Sequence, residues 1–183
     1  MELKALREEI SAASFASPRI EQLEQLVSEL AQKVHYLALE LRPASLDDVG
    51  LLPSIAAFVE HWSARHGISA DYQDAVQRNI SLGQLIDANL YRIVQEALTN
   101  VAKHSQCSHV SVVAEKHHGH LILLVEDNGC GFGVDEIING PFTDMRLGID
   151  GMRERAGLAG GDLTIESEIG AGTTVIAKIP CGN

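Results

Sequence analysis

The sequence is short of several things, and each shortage removes a class of explanation. Basic residues number 14 against 25 acidic ones, a net charge of −11, which argues against a general nucleic-acid surface. It leaves open an anionic small ligand held by local donors. Cysteines are three, an odd number without a CxxC pair, which favours reduced thiols in a cytosolic setting over a disulfide framework. No apolar run approaches the ~20 residues of a membrane-spanning helix, and no secretory signal opens the chain. Aromatic residues are sparse at 4%, and no internal repeat is visible.

What is present is ordinary globular material: 183 residues, 45% apolar, enough for a real core in one domain or two small ones. Leu3, Leu6, Ile10 and Ala13 mark the end of an amphipathic helix, and residues 11–18 form a small, polar connector closed by Pro18. Ile20, Leu23, Val27, Leu30, Val34, Leu37 and Leu41 then alternate three- and four-residue steps, a bundle seam. Two such helices make an antiparallel hairpin, whose narrow seam is satisfied by dimerising into a four-helix bundle or by packing on its own domain. Pro43 ends the second helix, and Asp47 to Gly50 reads as a turn. A fresh helix opens at Leu52-Pro53, buries Ile55, Val59 and Trp62, and stops at Gly67. The boundary falls here, giving a helical hairpin over 1–48 and a compact domain over 49–183.

In the second part, 68–72 alternates like a strand and 84–104 has helical period. Residues 110–114 and 121–125 form a strand pair joined through His117, His118, Gly119 and His120, better read as a polar hairpin turn than as a metal site. A helix over 148–158 and strands over 163–166 and 173–179 complete the chain. Hairpin-linked strands with helices grouped among them predict an α+β sandwich and not a βαβ repeat.

Four stretches carry chemistry. Along Tyr91 to His104, the residues Ile93, Ala97, Leu98 and Val101 share an apolar face, while Glu96, Asn100, Lys103 and His104 share a polar one. A carboxylate and an amide oxygen suit a hydrated Mg²⁺, and a nearby cation suits phosphate oxygens; a solvated helix face would look the same. Asp127 ends a strand just before Gly129 and Gly131, where it can accept a hydrogen bond from an exocyclic amine, or simply close a turn. Gly148 and Gly151 stand at the expected opening of a helix, where free N–H groups and the dipole favour phosphate. Arg153 and Arg155 either assist or lie on the solvated face. Gly170, Gly172 and Thr173 precede the last strand.

Singly these stretches are ambiguous; their order is specific. Tyr91 to His104 resembles the N box of the sensor histidine kinases of two-component systems. Asp127-x-Gly129-x-Gly131-Phe132 resembles their first glycine box and Leu147 to Arg155 the second. Gly161-Asp-Leu and Gly170-x-Gly172-Thr173 match the segments that come after the second box in that family. Leu41-Arg-Pro-x-x-Leu46-Asp-Asp-x-Gly50-Leu is similar to the end of the dimerisation helix in the nitrate- and membrane-fluidity-sensing subfamily. The resemblance covers nearly the whole chain. It implies a Bergerat-type (GHKL) ATP-binding α/β sandwich, preceded by a helical hairpin that dimerises into a bundle. It also implies ATP and Mg²⁺ as cofactors, a homodimer through the N-terminal helices, and a response regulator receiver domain as partner, in the cytoplasm.

By the same resemblance Asn100 holds Mg²⁺ with Glu96 beside it, and Lys103 and His104 approach the phosphates. Asp127 takes the adenine amine, Gly129 and Gly131 shape the pocket, Gly148 and Gly151 frame a mobile lid, and Thr173 completes the adenine end. About a dozen residues separate the two glycine boxes, which implies a short lid without the extra phenylalanine motif of other histidine kinases. One departure stands out: the phosphoacceptor motif of the subfamily, a histidine followed by an acidic residue, occurs nowhere. His35, in a Lys-Val-His-Tyr context, is expected to be a packing or surface residue. The expectation is therefore a fragment that binds ATP without phosphorylating itself at the usual place. The alternatives are an ATP-hydrolysing machine of the same fold and a non-catalytic dimeric interaction module.

Overall fold

The computed structural model describes residues 44–76, 81–140 and 143–182, all within Pro43–Asn183, the second of the two units into which the chain divides. The helical seams expected over 3–41, His35 and Pro43 lie outside the described residues.

The segment expected to be a turn before Gly50 is instead a short helix, α1 (Ala44–Val49). Leu46 is 3% exposed, so its side chain is drawn into the core, while Val49 at the end of the helix stays 50% exposed. The break is confined to Gly50, whose φ of 87° separates α1 from α2 (Leu51–His66). Ile55, Val59 and Trp62 are the buried face of α2, as their spacing predicts. Gly67 closes it in the left-handed region at φ 67°, donating its N–H to the Ser63 carbonyl at 2.9 Å.

Strand β1 (Ser69–Asp74) leads through helix α3 (Gln84–Asn100) to β2 (His109–His117), which pairs with β1 in parallel. That is a single crossover. Every other pairing is antiparallel: β2 with β3 (His120–Asp127), β3 with β5 (Gly172–Pro180), and β5 with β4 (Asp162–Glu168). The sheet order is β1-β2-β3-β5-β4. The histidine-rich turn is a two-residue hairpin, with His117 opposite His120 and both central residues at positive φ (His118 46°, Gly119 76°). Such turns match the twist of the flanking strands, and glycine makes the second position cheap.

Alternation assigns one face of the sheet to the core. Val110, Val112 and Ala114 of β2, Leu121, Leu123 and Val125 of β3, and Val175, Ala177 and Ile179 of β5 are all buried. Helix α3 lays Leu90, Ile93, Val94, Ala97 and Leu98 into the same core. Each fully buried leucine or isoleucine there contributes about 1.5–3 kcal/mol. Asp87, itself buried, holds the start of α3 by accepting from Leu82 N–H and from the Ser81 hydroxyl, both at 3.1 Å. Two helices come after β3: α4 (Val134–Asn139), which the residue pattern did not suggest, and α5 (Asp144–Leu158).

Candidate functional site

The alternation that builds the core also builds the site. After Leu121, Leu123 and Val125, the next inward position of β3 is Asp127, a carboxylate placed on an apolar face and left 5% exposed. Its Oδ1 accepts the Gly129 N–H at 2.8 Å. Burial pushes its pKa up; the Gly129 N–H opposes that and Glu126 adds to it. Directly across the ladder stands Thr173, and across the next ladder Ser167. Across β3, β5 and β4 this rung is therefore polar where the rungs before it on the same face are aliphatic.

The loop after Asp127 must come close to three neighbours. A Cβ at Gly129 would meet the Ser105 carbonyl and the Asp127 carboxylate, and one at Gly131 (φ 57°) would run into the Glu168 and Gly172 carbonyls. Cys130 ties the loop down: its N–H donates to Ser105 O at 2.7 Å, its Sγ–H to His104 O at 3.3 Å, and its own carbonyl accepts from Gly170 N–H at 2.7 Å.

Helix α3 does not continue to His104 as an α-helix. From Val101 to Ser105 it widens into a π turn, ended by Gln106 in the left-handed region (φ 53°). The wider turn rotates each residue by less than the ~100° of an α-helix, so the fourth residue after Asn100 stays near its face while the third falls further away. His104 accordingly lines the cleft, whereas Lys103 is exposed and does not. The single polar face expected from α-helical spacing is split at this point.

Helix α5 begins four residues before its expected start at Gly148. Thr143 caps it, accepting the Arg146 N–H at 3.3 Å, and Asp144 adds an acid to the first turn. Gly148 and Gly151 consequently lie inside the helix, and free N–H groups at a helix opening are not what they offer. Gly148 provides room instead: a Cβ there would collide with the Glu96 carboxylate and come within 3.2 Å of Asn100 Nδ2. Gly151 is buried within α5. Arg155 is buried at 7%, not solvated. It lies near Arg92, whose pKa is lowered chiefly by burial, with Tyr91 raising it and Arg155 lowering it further.

Together these elements frame a cleft that is open to solvent. Its walls are aliphatic: Val125, Ile165 and Val175 from the sheet, Ile149 and Met152 from α5. Asp127 and Thr173 lie on its lining, as do Asn100, His104, Gly131 and Phe132. Glu96 joins through its contact at Gly148, one helical turn before Asn100, and Gly129 acts from behind Asp127. The apolar stripe of α5 is written in the sequence, where Met145, Ile149, Met152 and Ala156 carry a 4-3-4 spacing interrupted by glycines. Ser167 and Cys130 were missed, because their roles depend on contacts that spacing does not encode.

An apolar, partly closed cleft with one buried carboxylate suits a heteroaromatic ring bearing an exocyclic amine, and an amide–carboxylate pair suits a hydrated cation beside phosphates. The fold and site thus define an ATP-binding α/β sandwich domain. Residues 86–183 match the histidine kinase-, DNA gyrase B-, and HSP90-like ATPase family. The chain is 33% identical over 165 residues to the signal transduction histidine-protein kinase/phosphatase DegS of Brevibacillus brevis, covering 90% of this chain and 41% of that protein. It is 35% identical over 160 residues to the oxygen sensor histidine kinase NreB of Staphylococcus carnosus, covering 86% and 44%. The chain therefore spans less than half the length of these two relatives. The histidine kinase domain of the blue-light activated histidine kinase of Erythrobacter litoralis has the same fold, with TM-score 0.62 at 19% identity over 98% of this chain and 93% of that one. The chain belongs to this ATPase family.

Proposed function

We propose that this chain is the ATP-binding catalytic portion of a two-component sensor histidine kinase, passing the γ-phosphoryl group of ATP to a histidine for relay to a response regulator receiver domain. The observation that carries the reading is Asp127, a buried carboxylate ending an otherwise aliphatic sheet face at one part of a cleft that Asn100 lines elsewhere. Asp127 would accept from the adenine amine, with Thr173 beside it and Gly129 and Gly131 keeping the loop close. Asn100 and Glu96 fit Mg²⁺: among the described residues no cluster of three His, Cys, Asp or Glu could hold a metal alone, and a magnesium ion that keeps its waters and phosphate ligands needs only one or two protein groups. His104 faces the phosphate region from the π turn. Lys103, exposed at the same turn, would reach the phosphates from the rim. Gly148 and Gly151 let α5 approach that end.

Bound Mg²⁺ would supply charge neutralisation for phosphoryl transfer; the protein's own share is positioning and exclusion of water. The 183 residues contain no histidine followed by Asp or Glu, so the acceptor in this reading is a histidine outside them. Residues 1–48 are proposed as the helical hairpin that forms a homodimer and 49–183 as the catalytic domain, with α1 spanning that boundary. Among the described residues no helix is long and apolar enough to cross a membrane. A cytosolic setting is part of the proposal because ATP is the substrate.

Calorimetric titration of Mg²⁺–ATP into the chain and into Asp127→Asn tests the reading. Saturable 1:1 binding that the substitution removes supports it. A folded chain that takes up no nucleotide would sink it and bring the interaction-module alternative forward.

A further inference from the structure

The polar rung at the end of the sheet holds one residue that the nucleotide reading does not use. Ser167 lies behind Thr173, off the cleft lining, and its Oγ has three polar neighbours. The Phe132 N–H reaches it at 2.9 Å, the Gly172 carbonyl lies at 3.0 Å, and Thr173 Oγ1 at 2.9 Å. A hydroxyl has one proton and two lone pairs. The Phe132 amide can only donate, so it takes one lone pair; the Gly172 carbonyl can only accept, so it takes the proton. The remaining lone pair meets Thr173, which must then donate. In this arrangement every contact is a hydrogen bond, and the Thr173 hydroxyl proton points at Ser167 with its lone pairs left for the cleft.

Ser167 can also turn its single proton from Gly172 to Thr173, which releases the Thr173 proton toward the cleft. The same three atoms thus hold two arrangements, one in which Thr173 accepts from a ligand and one in which it donates. Among the described residues, Ser167 is the side-chain hydrogen-bond partner of Thr173 Oγ1, so it governs that choice. Ser167 also accepts the Phe132 N–H, but the same loop is held independently by the backbone hydrogen bonds of Cys130, so the direction of the Thr173 hydroxyl is what Ser167 sets.

We infer that Ser167 is a positioning residue for the base end of the cleft, acting through Thr173 by fixing whether that hydroxyl donates to or accepts from the bound purine ring or its bridging water. The inference rests on the nucleotide reading above and adds to it a residue that never touches the ligand. Its effect on binding depends on Thr173, whereas a merely structural serine would act equally well without it.

A double-mutant cycle separates the two. Mg²⁺–ATP is titrated calorimetrically into the wild-type chain, Ser167→Ala, Thr173→Val and the double variant, with thermal unfolding of each measured alongside. Ser167→Ala is expected to weaken ATP by about 5- to 10-fold in the wild-type background, the scale of one hydrogen bond, and by less than about 2-fold when Thr173 is already valine. Ser167→Thr, which keeps the hydroxyl, should recover most of the affinity. Equal losses in both backgrounds, or no loss in the first, would overturn the inference while leaving ATP binding itself intact. A wild-type chain that binds no ATP would instead sink the nucleotide reading and this inference with it. Should Ser167→Ala fail to fold, the near-isosteric Ser167→Cys, a much weaker donor, carries the same comparison.

Discussion

Gly148→Ala places one methyl group where two opposing effects can be weighed. Within a helix, alanine is more favourable than glycine by about 0.8–1.0 kcal/mol, and Gly148 lies in the interior of α5. Against that, the new Cβ would overlap the Glu96 carboxylate and press within 3.2 Å of Asn100 Nδ2 and 3.3 Å of Glu96 Cδ. The obstruction is the far end of a flexible side chain and not backbone, so Glu96 can swing aside at roughly 0.5–1.5 kcal/mol for an off-rotamer conformation. The two terms nearly cancel. The melting temperature should move by no more than about 2–4 °C, the shift expected from 1 kcal/mol in a chain of this size.

Function should not be spared in the same way, because the displaced group is half of the pair proposed to face the metal. Loss of one charged contact of about 1.5–3 kcal/mol corresponds to a roughly 10- to 150-fold weaker Kd for Mg²⁺–ATP. Calorimetry with Mg²⁺–ATP, and with ATP in the presence of a chelator, reads this directly: the loss should be large in the first titration and small in the second. Adding Glu96→Ala removes the obstruction, so Gly148→Ala on that background should cost little further affinity. Wild-type affinity in a folded Gly148→Ala chain would refute the reasoning. An equal loss with and without the metal would refute it too, because the methyl group would then be acting on the cleft as a whole.

Three further outcomes rest on the same geometry. Burial pulls the Asp127 pKa up, so ionising the carboxyl costs stability: that cost is absent below the unfolded-state value near 3.9, grows as pH rises from there through the folded-state value, and is constant above both. Asp127→Asn should therefore melt no lower than wild type at pH 7 while losing ATP binding, and a marked drop in melting temperature would show that the carboxylate is structural. Gly67→Ala, with φ 67° and nothing within 4 Å, should cost about 1–2 kcal/mol from backbone strain alone. Gly131→Ala, at φ 57° and against backbone carbonyls, should cost distinctly more in chemical denaturation; equal costs would contradict the close approach. Leu98→Ala, at a position with 0% exposure, should destabilise the domain by about 2–5 kcal/mol, and a loss under 1 kcal/mol would deny it a place in the core.

By itself the sequence determined the parts whose causes are local. Gly67 ends α2 because a left-handed cap needs no Cβ, and His118-Gly119 turns the hairpin because both positions take positive φ. The aliphatic runs become β2, β3 and β5 because period-two burial is written into neighbouring residues. The ordered motifs around Asn100, Asp127, the two α5 glycines and Thr173 identified the family. Tertiary structure decided what depends on atoms far apart in the chain. The π turn re-aims His104 away from Lys103 where Ser105 O meets Cys130 N, 25 residues on. Gly148 matters for the space it leaves to Glu96 and not for a helix opening, because the cap that starts α5 is at Thr143. Ser167 faces Thr173 only because β4 and β5 pair in a particular register. Hydrogen-bond direction and steric clearance are properties of several elements at once, and spacing along one element does not carry them.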